Sequence, residues 1–135
     1  MQTFLPYPNF RESVECLDNK RLGKQRVECL QILNALTGKS KGWVNHPATR
    51  MWRGYEDALC VYMNFCIDEW KSRGFKNTME YALCDKPHGQ RFMPPWLGSE
   101  DFHASHRSNL LRKDPEWYGK FDWTEPHDLP YVWPA

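Results

Sequence analysis

The stretch DNKRLGKQRVECLQILNAL, residues 18–36, decides the fold class. Leu22, Cys29, Leu30, Leu33 and Leu36 recur at helical spacing, which defines one apolar helix face. Asp18 stands where its side chain caps the first helical amides, and Gly38 stops the helix. On a helical wheel Arg21, Lys24, Gln25 and Glu28 fall within an arc of about 100°, away from the leucines. The helix therefore carries an apolar stripe and, apart from it, a basic stripe that contains one carboxylate.

Working outward, TFLPYPNF (3–10) holds two prolines and reads as an extended arm packed by its aromatics, followed by a first helix near Arg11 to Leu17. After a polar loop over Gly38 to Trp43, Asn45-His46-Pro47 opens a third helix expected to run unbroken to Arg73, with Gly74 beyond its end. Met51, Trp52, Tyr55, Leu59, Met63, Ile67 and Trp70 form its stripe, and roughly 27 residues at 1.5 Å each make a rod of about 40 Å. His46, Arg50, Arg53 and Asp57 share one edge of it. A short helix is expected over Asn77 to Cys84, then loop through Asp85–Gly89 and Pro94-Pro95. Ser99 with Glu100 and Asp101 opens a further helix that reaches Lys113, before Asp114-Pro115 breaks it. The tail from Trp117 holds three Trp, two Tyr and three Pro and is expected to wrap the helices. With no useful period-2 pattern, the fold class is all-α: a single compact domain, 1–135, of about four to five helices around a long central helix, with an extended aromatic and proline-rich C-terminal tail.

The 135 residues are 41% hydrophobic and 15% aromatic, enough for a core, which excludes general disorder. No apolar run approaches the roughly 18 residues of a membrane span, and MQTFLPYPNF lacks a signal-peptide pattern, so the expected location is cytoplasmic, at the nucleoid or in a host cytoplasm if phage-encoded. The net charge of +1 conceals an asymmetry: from Asp114 onward there are five acids and one lysine, so the first 113 residues carry +5. Lys20, Arg21, Lys24 and Arg26 form the densest cluster, which suits a polyphosphate partner or a solvated face. The five cysteines show no CxxC spacing and read as reduced, buried thiols. Phosphate-loop, dinucleotide and esterase signatures are absent. Cys84-x3-His88 with His103-x2-His106 matches no zinc pattern, so no metal and no small-molecule cofactor are expected.

Glu28 is the residue most suited to chemistry. A carboxylate in a field that attracts phosphates can stabilise a cationic sugar, or act as acid or base where a base is cleaved from deoxyribose. The alternative is a surface ion pair with Lys24 or Arg21.

In Leu17-Asp18 through Leu22 to Glu28, in Met51 to Phe75 ending in Arg73-Gly74-Phe75, and in His103 through Leu111 and Lys113 to Pro115-Glu116-Trp117-Tyr118, the chain resembles the pyrimidine-dimer DNA glycosylases of the phage endonuclease V type, and more nearly their uncharacterised bacterial and phage relatives. The resemblance implies a small all-α enzyme that binds damaged or modified duplex DNA and needs no metal; the oligomeric state is open, with a monomer the default expectation. Glu28 matches the family's catalytic glutamate, and the family's second catalytic group is the N-terminal α-amine, which attacks the sugar C1′ to form a Schiff base and permits strand cleavage. The phage enzymes expose a threonine there; Gln2 is bulky, so Met1 is expected to remain. Either the Met1 amine serves, or the lyase step is lost and Glu28 activates water. Val27 and Gln31 stand where the phage enzymes have arginines. Arg21, Lys24, Arg26, Arg50 and Arg53 are the expected phosphate clamps, joined by Arg107, Arg112 and Lys113. Trp117 and Tyr118 match an aromatic pair near the DNA, with core packing the alternative, and His46, His103 and His106 are candidates to contact phosphate or tune the site. The implied activity is a DNA glycosylase with or without AP-lyase activity. The alternatives are a non-catalytic nucleic-acid-binding module using the same basic face, and an enzyme for another nucleobase or sugar substrate.

Overall fold

In the computed structural model, which describes residues 2–82 and 93–134, two long antagonists of solvent meet first: α2 (Asn19–Leu36) packs along α4 (Glu56–Ser72), the most extensive helix pairing. Around them lie α1 (Phe10–Cys16), α3 (Pro47–Trp52), α5 (Glu100–Lys113), α6 (Pro115–Tyr118) and a 3-10 turn at Gly119–Phe121, and the described residues contain no strand. The result is an all-helical, compact single domain whose core includes Leu22, Ile32, Trp52, Leu59, Met63, Ile67, Phe102 and Leu110. Among the described residues no helix is long and apolar enough to cross a membrane.

α2 begins as its sequence indicates, with Asp18 accepting from Arg21 N–H. Its buried face differs from the leucine stripe, however. Gln25 is 1% exposed and sits in the core line with Leu22, Cys29, Ile32 and Leu33, whereas Leu30 is 40% exposed. The reason lies in the arm, which needs a polar partner at that position. Gly23 meets the Trp70 ring so closely that an added Cβ would stand 3.0 Å from it.

The expected unbroken third helix is two helices. Arg53 is extended and Gly54 adopts φ 90°, a left-handed conformation that glycine reaches without a Cβ clash, so the chain turns before Glu56 and Asp57 restart the helix. The apolar stripe survives the break because both pieces bury Met51, Trp52, Leu59, Met63 and Ile67 in one core. The helix expected over Asn77 to Cys84 is irregular chain as far as Ala82, held by Asn64, whose amide bonds both main-chain groups of Ala82; its last two positions lie outside the described residues. α5 follows its predicted bounds. The tail packs Trp117, Trp123, Tyr131 and Trp133 against the core, as expected. Cys16, Cys29 and Cys66 are free and buried, and Cys60 is buried; Cys84 lies outside the described residues.

The arm is the unusual element. Residues 2–6 are extended and buried, so their polar groups need partners that no helix or sheet supplies. Side chains supply them. Gln25 Nε2 donates to Gln2 O (2.6 Å) while its Oε1 accepts from Phe4 N–H (2.7 Å), and Tyr62 OH donates to Phe4 O (2.5 Å). His106 Nδ1 accepts from Leu5 N–H (2.8 Å), His103 Nδ1 donates to Leu5 O (2.7 Å), and Arg107 donates to Pro6 O (2.7 Å). Trp52 Nε1 donates to Thr3 Oγ1.

Both imidazoles serve as neutral rings: His103 accepts from Gly98 N–H at its other nitrogen, and His106 can accept from Leu5 only while Nδ1 is unprotonated. Burial accordingly lowers the pKa of His103 and brings that of His106 down to about 3. Because the unfolded histidine binds its proton near 6.5, stability is fully present above that pH and is lost as pH falls toward 3. The expected loss from His106 alone between pH 7.5 and pH 5 is about 2 kcal/mol by linkage, measured as the change in urea-unfolding free energy; a flat profile over that range would contradict the neutral anchor.

Candidate active site and cationic cleft

Where the arm crosses α2, Gln2 N–H donates to Glu28 Oε2 at 3.1 Å. The two residues share a cleft of about 320 Å³ lined also by Phe4, Lys20, Arg21, Lys24, Lys113, Tyr131 and Trp133. α2 contributes the carboxylate and three cations over three turns, Lys20 and Arg21 in one, Lys24 in the next and Glu28 in the third, within one arc of the helix. The end of α5 contributes Lys113, and the tail contributes the two aromatics. Four positive charges thus surround one carboxylate, an arrangement that draws in an anion while holding an acid or base beside it.

Among the described residues no ion pair joins Glu28 to Lys24 or Arg21; its hydrogen bond goes to the arm. Arg21 is engaged with Asp18 at 3.2 Å, and Asp18 in turn accepts from the Tyr118 hydroxyl. Arg26 turns to the neighbouring face of α2, where its guanidinium lies 4.4 Å from the Trp70 ring centroid and donates to Asn77 (2.6 Å).

The remaining sequence candidates divide by location. Arg50 and Arg53 are exposed beyond the cleft lining, Arg53 donating to Val44 O. Arg112 is exposed and donates to Asn109 and to His127 O, which fastens the tail. His46 caps α3 by accepting from Ala48 N–H at Nδ1 (3.0 Å), and its ring stands perpendicular to Trp133 at 6.0 Å. Burial lowers its pKa, against an opposing pull from Glu28.

Three candidates for phosphate contact occupy the interior instead. His103 and His106 are fully buried on the arm, and Arg107 is buried between Glu100 and Glu125, whose hydrogen bonds outweigh burial and raise its pKa. The aromatic pair is also elsewhere. Tyr118 is fully buried on Asp18, while Trp117 donates to Cys16 O (2.7 Å) beneath the Lys120 ammonium. α5 is buried on more faces than a surface helix, because the arm and the tail both lie against it. No group of three or more His, Cys, Asp or Glu side chains is placed to hold a metal among the described residues; Cys84, His88 and Met1 lie outside them.

Sequence reasoning missed Gln2, Phe4, Tyr131 and Trp133. Only the aromatic density of the tail signalled the last two.

Residues 1–83 match the family model of the pyrimidine dimer DNA glycosylases. The chain belongs to this family. The matched segment contains the arm, Glu28 and the α2 cations of the cleft, whereas Lys113, Tyr131 and Trp133 of its lining lie beyond the match. No curated protein matches the chain, and no solved structure does.

Gln25 is the hinge of this geometry, since one amide holds residues 2 and 4. Gln25→Leu leaves a buried carbonyl and a buried amide unpaired at about 1–3 kcal/mol each, so guanidinium unfolding is expected to show a loss of about 3 kcal/mol. A loss under about 1 kcal/mol would mean the arm is not held by this residue.

Proposed function

We propose that this protein excises the damaged base of a pyrimidine lesion in duplex DNA, with Glu28 as the catalytic carboxylate and the N-terminal α-amine as the nucleophile. The observation that carries this reading is the 3.1 Å hydrogen bond from Gln2 N–H to Glu28 inside a cationic cleft, because it ties the start of the chain to the carboxylate. An α-amine titrates near 8, so a substantial fraction is unprotonated at neutral pH, where a lysine is not.

The amine of Met1, one residue before the anchored amide, attacks C1′ of the lesion nucleotide. The C1′–N bond breaks as the base departs with the electron pair and takes up a proton. Loss of the sugar ring oxygen as a hydroxyl then gives a Schiff base to C1′. Glu28 stabilises the cationic sugar in the first step and takes the C2′ proton in the second, where the 3′ phosphate leaves by β-elimination. Lys20, Lys24 and Lys113 hold the backbone phosphates at the cleft, with Arg21 beside them, and Arg26, Arg50, Arg53 and Arg112 extend the positive surface. His46 acts through its cap on α3 and its contact with Trp133.

Duplexes carrying a thymine dimer or an abasic site, incubated with and without borohydride, test the reading. Wild type is expected to cleave both and to be trapped through its N-terminal peptide. Glu28→Gln is expected to lose at least about 100-fold in rate, the scale of general acid–base catalysis, while still binding. Equal cleavage by wild type and Glu28→Gln would refute the role of Glu28, and trapping through an internal lysine would refute that of the amine.

Binding to undamaged duplex should weaken as salt rises. Lys24→Ala and Lys113→Ala are each expected to reduce the slope of log K against log salt by about 0.9, measured by fluorescence anisotropy. An unchanged slope would place the DNA elsewhere.

A further inference from the structure

Trp43 is the tryptophan that the core does not explain. Of the seven tryptophans, six lie in the core or pack against it, whereas Trp43 does neither and is 53% exposed. Its backbone is strained as well. Trp43 holds φ 65°, in the left-handed region where a bulky side chain is disfavoured and glycine or asparagine is the ordinary occupant. Burial offsets little of that strain, and a costly conformation kept for an exposed ring is expected where the side chain serves a partner.

The loop that carries Trp43 is fastened on both sides. Lys39 N–H and Ser40 N–H donate to Asn34 O of α2, His46 N–H donates to Trp43 O, and the Arg53 guanidinium donates to Val44 O. The indole stands perpendicular to His46 at 5.5 Å, and His46 stands perpendicular to Trp133 at 6.0 Å. Trp43 is thus the outer member of a row of rings that ends at the wall of the cleft. Glu28 pulls on the charge of the same imidazole, against the effect of burial, so the middle ring of the row lies within electrostatic reach of the carboxylate. Lys39, Lys41, Arg50 and Arg53 are exposed around the indole's loop and α3. An exposed aromatic among four cations suits a polyanion with stacked rings better than an apolar protein surface.

We propose that Trp43 is a wedge that enters the base stack at the lesion and bends the duplex open beside the cleft, while the cations around it hold the flanking phosphates. This rests on the catalytic reading of Glu28 above. Glu28 and the amine act on C1′, a sugar atom that lines the minor groove, so the bases need not enter the cleft. The strand has only to bend until that sugar reaches the carboxylate. A side chain inserted from the minor groove unstacks one step and kinks the duplex by about 20–90°. Entry costs least at a thymine dimer, whose saturated and cross-linked rings stack poorly. Trp43 is therefore a positioning residue, acting on the duplex and not on the reacting atoms.

The test compares two rates in each variant: excision of a thymine dimer from a fully paired duplex, and excision of the same dimer from a bubble whose opposing bases are mismatched, where the stack is already open. Trp43→Ala and Trp43→Asn are expected to lower the ratio of paired to bubble rate by about tenfold, the effect of one lost stacking contact. Trp43→Phe should restore most of it. Asparagine tolerates the left-handed backbone, so Trp43→Asn serves if Trp43→Ala does not fold, with thermal melting as the check. An unchanged ratio, or both rates falling together, overturns the proposal.

A second readout needs no turnover. Glu28→Gln protein saturating a thymine-dimer duplex with a dye at each end should raise energy transfer between the dyes, and adding Trp43→Ala should return it toward the value of free duplex. Equal transfer with both proteins overturns the proposal. Wild type indistinguishable from Glu28→Gln on both substrates would instead remove the catalytic reading, and the energy-transfer comparison would then decide the wedge by itself.

Discussion

The structure depends on burying an extended peptide inside a bundle of helices. An extended segment with no strand beside it presents unpaired amides and carbonyls, each of which costs about 1–3 kcal/mol if buried without a partner. Here four helices lend polar side chains to the arm: Gln25 from α2, Trp52 from α3, Tyr62 from α4, and His103, His106 and Arg107 from α5. The apolar side chains of Phe4 and Leu5 then fill the core that those helices enclose. The arm is thus the shared partner of four helices, and its position is over-determined.

That constraint reaches the cleft directly. The same Gln25 amide that satisfies Phe4 N–H holds Gln2 O, which leaves Gln2 N–H on Glu28. Protonating His106 would remove the acceptor at Leu5 N–H, and protonating His103 the acceptor at Gly98 N–H, so the neutral state of both rings is part of the same arrangement. Tyr62 stays protonated, because burial raises its pKa, and so remains a donor to Phe4 O. The tail closes the other side: α5 grips it through Ser105, Ser108 and Asn109, and that places two aromatic rings over the carboxylate's cleft.

The electrostatic design follows from separating two sets of charges. Arg73 and Arg107 are consumed internally, Arg73 on the last carbonyls of α1 and on Glu69, Arg107 on Pro6 O, Glu100 and Glu125. Lys20, Lys24 and Lys113 line the cleft without an ion pair among the described residues. A fixed guanidinium satisfies several carbonyls at once, whereas a flexible, strongly hydrated ammonium is suited to a mobile anionic partner.

Local rules settled much of this protein from its sequence. Helix periodicity placed α2, the Ser99 start and the Asp114-Pro115 break placed α5, Asp18 capped α2, and the spacing of Arg21, Lys24 and Glu28 put a carboxylate among cations, since those relations act within a few residues. The break at Gly54 was present as a glycine inside an apolar stripe, but only the packing of Trp52 and Tyr55 showed that the chain turns there. Periodicity also misjudged Gln25 and Leu30, because an amide enters the core when a buried backbone requires it. His103, His106 and Arg107 looked like surface cations for the same reason: charge type is written in the sequence, whereas burial is decided by what packs against the helix. The meeting of residue 2 with residue 28, and of both with residues 131 and 133, is a matter of tertiary structure alone, since it joins segments some hundred residues apart through partners that no local pattern encodes.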